Sequence, residues 1–216
     1  MERFGASFLI AGIVTFLLGF VLQGVLPLLT LSNVPVEDVN QIAKKIPDSF
    51  FELADDYPQE FRQAFGEVNA DSFAEALRTG KATYIAEGCW HCHTQYIRPV
   101  SNEDIRFGPV STAKEYNNKM NLPPLFGTRR VGPDLVRSAG RHSNDWHIAH
   151  FFNPRSVSPY SVMPSYPWFF DEAQRPNKIG LATTAYVQWL GSWVQQVPTT
   201  IYNVEAFSGR KEGENP

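Results

Sequence analysis

Cysteine is scarce in this chain. Two residues in 216 carry it, Cys89 and Cys92, three apart. That is too few for a disulfide scaffold, and a bridge between such near neighbours would be a redox pair, not a staple. No second apolar run long enough to cross a bilayer follows Leu31. There is no Gly-rich phosphate loop, no pair of carboxylates at a catalytic spacing and no basic stripe suited to nucleic acid. No internal repeat and no alternating strand pattern is present. The chain is 43% hydrophobic, so a packed core is feasible and wholesale disorder is excluded. Its length suits one ordinary domain plus something small.

The small addition is at the start. Phe8 to Leu31 is uncharged and apolar, about 36 Å long as a helix against a hydrocarbon core of about 30 Å. The run is too long for the apolar core of a signal peptide, and Leu31-Ser-Asn-Val-Pro35 is a poor cleavage site. A retained single-span anchor is expected over residues 1–32. Gly5, Gly12 and Gly19 are seven apart and share one helix face, where another membrane helix can approach closely. Gln23 is an amide at membrane depth, which prefers a partner to lipid.

Residues 33–78 hold ten acidic and four basic side chains, a net of −6, and residues 79–216 come to +3. The acidic stretch reads as a partly helical, solvated spacer with two short helices. Phe61, Phe65 and Val68 make one apolar face, and Ser72 with Glu75 has capping-box spacing. A helix is expected through Ala86, a long loop over 99–129, a short helix from Ser143, an irregular Pro-rich stretch around 156–167, and a helix over about 178–191. On the last, Leu181, Ala185, Tyr186, Trp189 and Leu190 form the apolar side, with Gly191 closing it. A cofactor-bearing domain is expected over 79–200 and a polar tail over 201–216.

That cofactor is implied by Cys89-Trp-His-Cys92-His93, the c-type haem attachment pattern. Two thiols three apart add across the two vinyl groups, and the histidine beside the second lies under the iron. A thioredoxin-like pair would need an α/β pattern that is missing, and a zinc site a second pair of ligands. The reading is one covalently attached haem c on Cys89 and Cys92, with His93 as an iron ligand. Attachment of this kind occurs on the outer side of energy-conserving membranes. The N-terminus is therefore expected in the cytoplasm and the haem domain in the periplasm, anchored in the inner membrane.

For the other axial position the candidates are His91, His142, His147, His150, Met120 and Met163. His91 is inside the attachment loop. Met120 reads as packing, and His147 with His150, one turn apart, reads as structural or interfacial. Met163, followed by Pro164 in a rigid stretch, is the favoured second iron ligand, and thioether ligation raises the potential. Arg130-Val-Gly132-Pro133-Asp134-Leu135 would set the Pro133 carbonyl against the imidazole N–H of His93. Arg98, nearest the motif among Arg98, Arg129, Arg130 and Arg141, is the first candidate to meet a haem propionate or a partner.

Gly80, Tyr84 and Ile85 before Cys89, the Gly132–Leu135 turn, Met163-Pro164 and the helix around Tyr186 and Trp189 resemble class I cytochromes c. In that family the first and last helices cross beside the haem, and the ligands are histidine and methionine. The fold class implied is all-α, with one transmembrane helix and a class I cytochrome c-like domain with long loops. Glu87-Gly-Cys-Trp-His-Cys-His-Thr-Gln95-Tyr-Ile97-Arg98-Pro99, Gly140-Arg141-His-Ser-Asn-Asp145-Trp146-His147-Ile-Ala-His150, Asn153-Pro154-Arg155 and Met163-Pro164-Ser-Tyr166-Pro167-Trp168 further resemble the membrane-anchored monohaem subunit II of cbb3-type cytochrome c oxidases, over about residues 80–195. The long acidic segment and the loop around Asn117–Phe126 depart from that pattern. The resemblance implies a non-catalytic electron-transfer subunit. It takes electrons from c-type cytochromes or a partner haem c subunit and delivers them to haem b of a catalytic haem-copper subunit I, in contact with membrane lipid and with no nucleic acid. The alternatives are the small haem c subunit of a nitric oxide reductase, a free-standing anchored cytochrome, or a haem-based sensor.

Overall fold

The computed structural model describes residues 4–31, 33–127 and 129–194. The expected tail, 201–216, lies outside them. The chain divides into two units, Met1–Val36 and Glu37–Pro216.

In the first unit, α1 (Gly5–Phe20) passes through a π-helical turn (Val21–Val25) into α2 (Leu26–Leu31). Together they are 27 residues, the one helix among the described residues long and apolar enough to cross a membrane. This is compatible with a single-pass anchor. The hydroxyls of Thr15 and Thr30 bond carbonyls four residues back, so neither would be left unsatisfied in hydrocarbon. Gln23 is in the π turn, an irregularity often found where a helix has work to do.

The second unit contains α3 (Val39–Ile42), α4 (Asp48–Asp56), α5 (Pro58–Phe65), α6 (Ala70–Ala86), the single turn α7 (Cys89–Cys92), α8 (Glu103–Phe107), α9 (Asn144–Phe152), α10 (Pro154–Val157) and α11 (Lys178–Trp189). No strand is present among the described residues, only the isolated bridges Glu37–Asn118 and Phe170–Pro176. The fold class is all-α.

Its centre is the crossing of α6 and α11. α6 begins one turn earlier than the Ser72–Glu75 spacing suggests. Asn69 is the cap, accepting from the N–H groups of Asp71 and Ser72, and the Ser72 hydroxyl closes the box back onto the Asn69 N–H. α11 is capped by Asn177 and ends at Gly191, whose φ of +89° favours glycine. α11 has no wet face. Every residue from Gly180 to Leu190 is buried, because α6, α4, α5 and α9 all pack on it.

Two expectations are corrected here. Residues 37–78 are not a solvated spacer. Val39, Ile42, Phe50, Leu53, Phe61, Phe73 and Leu77 are buried in the same core as Leu181 and Tyr186. The acidic side chains occupy the outer faces of helices whose inner faces are apolar. The stretch expected as one long loop, 99–129, also contains α8 and a 3-10 turn at Ala113–Tyr116, and its side chains pack within the unit. Phe107, Met120 and Leu125 are buried, the buried Arg137 holds Glu115 at 2.6 Å, Tyr116 donates to the Gln95 carbonyl, and Lys119 pairs with Asp38. Burial works against the Glu115 charge, yet Arg137 and the Thr112 N–H hold its pKa below the usual range. The packing role expected for Met120 agrees with its burial.

Candidate haem site

α6 delivers the cysteine motif. It stops at Gly88, whose φ of +68° reverses the chain at little cost. The one-turn helix that follows carries both thiols, with the His93 N–H bonded to the Cys89 carbonyl at 2.8 Å. Cys89 is half-buried and Cys92 exposed. Burial, with the charge of Glu87 second, pushes the Cys89 thiol up to about 11.

His93 is fixed from three directions. Its Nδ1 is 2.9 Å from the Pro133 carbonyl. A carbonyl only accepts, so Nδ1 carries the proton and Nε2 keeps its lone pair. The His93 carbonyl takes the hydroxyl of buried Tyr84 at 2.6 Å. Gly132 lies flush against the ring: a Cβ there would come within 2.2 Å of Cε1 and 2.7 Å of both nitrogens. Burial lowers the His93 pKa, against the opposing pull of Pro133 and Asp134, so the ring is a neutral donor. Asp134 anchors the turn beneath, accepting from Thr94 and from the N–H groups of Tyr96 and Val136.

The Met163 loop belongs to a second apolar cluster. Met163 is half-buried against Ile148, Phe151, Tyr166, Phe169 and Phe170. The loop is tied to the motif by two side chains that the sequence did not single out for this role. Tyr166 lies close enough to Cys89 for each to shift the other's pKa, and Trp168 Nε1 donates to Glu87 at 2.9 Å. Both are long-range contacts with no local signal.

Of the histidines, His91 is exposed and stacked on Trp90 at 3.9 Å. His142 and His150 sandwich Trp146, and His147 is buried with Nε2 unpartnered. Among the described residues no three His, Cys, Asp or Glu side chains are grouped to hold a metal ion, so the His147–His150 pair belongs to the packing of α9. Burial, then the charges of His142 and His150, pulls His147 down to about 3 from 6.5. The unfolded chain thus binds a proton between pH 6.5 and 3 that the folded chain refuses. Stability is expected to hold above pH 6.5 and fall below it, by up to about 1.4 kcal/mol per pH unit from this group. Chemical denaturation across that window should show a shallower acid slope for His147→Gln. An unchanged slope would remove His147 as the cause.

Arg98 is held by an ion pair. It pairs with the buried Glu103, which Arg130 shares at 2.6 Å, and Arg141 donates to the Phe107 carbonyl.

The donor set fits a haem: two thiols on one helical turn, a neutral imidazole with its outer nitrogen anchored, and a glycine where any side chain would displace the ring. A family model for the cytochrome c oxidase mono-haem subunit, FixO, matches residues 63–203. The chain belongs to the FixO family. No curated protein matches it. As a FixO-family chain it is a mono-haem subunit of a cytochrome c oxidase, assembled with a catalytic subunit. The match starts inside α5, so α3 and α4, which complete the core around α11, lie outside it.

Proposed function

We propose that this FixO-family subunit relays single electrons from c-type cytochromes, or from a partner haem c subunit, to haem b of a cbb3-type catalytic subunit. In this reading Cys89 and Cys92 hold the haem by two thioethers, and His93 and Met163 are the iron ligands. The helix Gly5–Leu31 is a single-pass anchor in the inner membrane, with the N-terminus cytoplasmic and the second unit periplasmic. The observation that carries the reading is the anchored His93, with Nδ1 on Pro133 and the ring flush on Gly132.

When bound, the haem supplies one-electron chemistry. The chain's own residues supply rigidity and a dry setting. Pro133 fixes the imidazole tautomer and makes Nε2 a better donor. Tyr166 and Trp168 hold the Met163 loop against the motif, so both donors sit on packed elements that need not move when the charge changes. Methionine as the second ligand stabilises the reduced state relative to a second histidine. Ile148, Phe151 and Phe169 exclude water from the methionine side. Arg98, held on Glu103, is left as a charge for a propionate or for the partner.

The test is a reduced-minus-oxidised spectrum, with oxygen uptake, of the complex purified in detergent through this chain. Haem b beside haem c, cyanide-sensitive oxygen consumption, and haem that survives acid–acetone extraction in the wild type but not in a Cys89→Ala, Cys92→Ala double variant are expected. Met163→Ala should lose the far-red sulfur-to-iron band. Haem c with no haem b would instead indicate a free-standing cytochrome, and nitric oxide turnover without oxygen uptake a reductase subunit.

A further inference from the structure

The chain between Thr94 and Arg130 lines a concavity of about 450 Å³, of which the haem reading draws only on Arg98. Four guanidinium groups line it, Arg98, Arg106, Arg129 and Arg130, against the single carboxylate of Glu103. The lining is therefore +3 on a chain whose net charge is −3. Arg98 and Arg130 are both committed to Glu103, and Arg130 also reaches the buried Asp134. Arg106 lies over the Phe107 ring at 4.8 Å. Neither Arg106 nor Arg129 has an ion pair among the described residues. Phe126 lines the cavity, and Val100, Ile105 and Val131 are next in sequence to lining residues; all four are about half exposed or more, Ile105 reaching 59%. Arginine with aromatic and aliphatic groups in a concave patch is the composition of a protein interface core.

We infer that this arginine-lined concavity docks an acidic segment of the catalytic subunit. Guanidinium groups meet carboxylates in two-pronged fashion, and Arg106 and Arg129 are the two with that capacity unspent. The apolar rim calls for side chains opposite it, which a lipid headgroup does not supply. The site is built before any partner arrives, because Glu103 already holds Arg98 and Arg130 in place, so docking costs little ordering. The inference rests on the reading that the chain works within an oxidase complex.

The experiment uses the full chain in its complex. Haem b retained per haem c is measured through purification at rising sodium chloride, for wild type and for Arg106→Glu with Arg129→Glu. Wild-type retention is expected to fall with salt. The variant is expected to need about tenfold more catalytic subunit for equal retention at low salt. Haem c content and the far-red band report that the haem site has folded. If the reversed charges disturb them, Arg106→Gln with Arg129→Gln is read in the same assay. Equal retention at every salt concentration overturns the inference. So does equal retention with less bound phospholipid, which would assign the pocket to a headgroup, or with a smaller particle mass, which would assign it to a second copy of this chain. A wild-type complex without any haem b would sink the proposed function itself, a separate result.

Discussion

Gly80→Ala is expected to destabilise the second unit by about 3 kcal/mol, although alanine is the better helix former. The cause is the closeness of two helices. A methyl group on Gly80 would lie 2.1 Å from the Ala182 carbonyl oxygen and 2.6 Å from the Tyr186 Cβ. Neither atom is the tip of a flexible side chain, so α11 as a whole would have to move. It is buried on every side, so that movement opens gaps against α4, α5 and α9 as well. Denaturant unfolding followed by tryptophan fluorescence reads the loss. Ala82→Gly, two residues along on the exposed face, is the control and should cost only about 1 kcal/mol. If Gly80→Ala cost no more than that control, the crossing would be looser than the contact distances require.

The second large effect is expected at Gly132. In Gly132→Ala the new methyl would be 2.2 Å from the His93 ring. The ring must swing, and the Nδ1 bond to Pro133 is broken or bent. The thiols are untouched, so covalent haem content should remain at the wild-type level. If His93 holds the iron as proposed, the change should appear there: a higher midpoint potential, because Nε2 becomes the weaker donor, and a histidine displaced by added imidazole about 10–100-fold more readily. Loss of haem content instead would mean that the domain had failed to fold. An unaltered potential and unaltered imidazole titration would show that the Gly132 contact does not set the ligand.

The contact between His93 and the Gly132-Pro133 turn was legible in the sequence. The proposed attachment through Cys89 and Cys92 is local chemistry, so its requirement is written in five consecutive residues. Some helix starts were legible too: Ser143 begins α9, and α11 starts at the expected Lys178, ending at Trp189 two residues short of Gly191. Asn69 and Ser72 show the limit. Both are capping residues, and only the observed bonds decide which is the cap and which completes the box. Residues 37–78 misled because their charge is local while their partner is distant. Phe50 and Leu53 belong to the same core as Leu181, which lies far along the chain, and an acidic outer face looks the same in a spacer as in a packed helix. The ties from Tyr166 to Cys89 and from Trp168 to Glu87 are likewise tertiary, with no spacing rule to announce them.

α11 closes the described chain and is wrapped on all sides, and this orders events during synthesis. The apolar faces around Phe50, Leu53, Phe61 and Phe73 are made first, and the helix that covers them comes more than a hundred residues later. At about 5–20 residues per second that is a delay on the order of ten seconds. Throughout it the apolar faces of α4, α5 and α6 can pack only on one another, without the helix that completes their core.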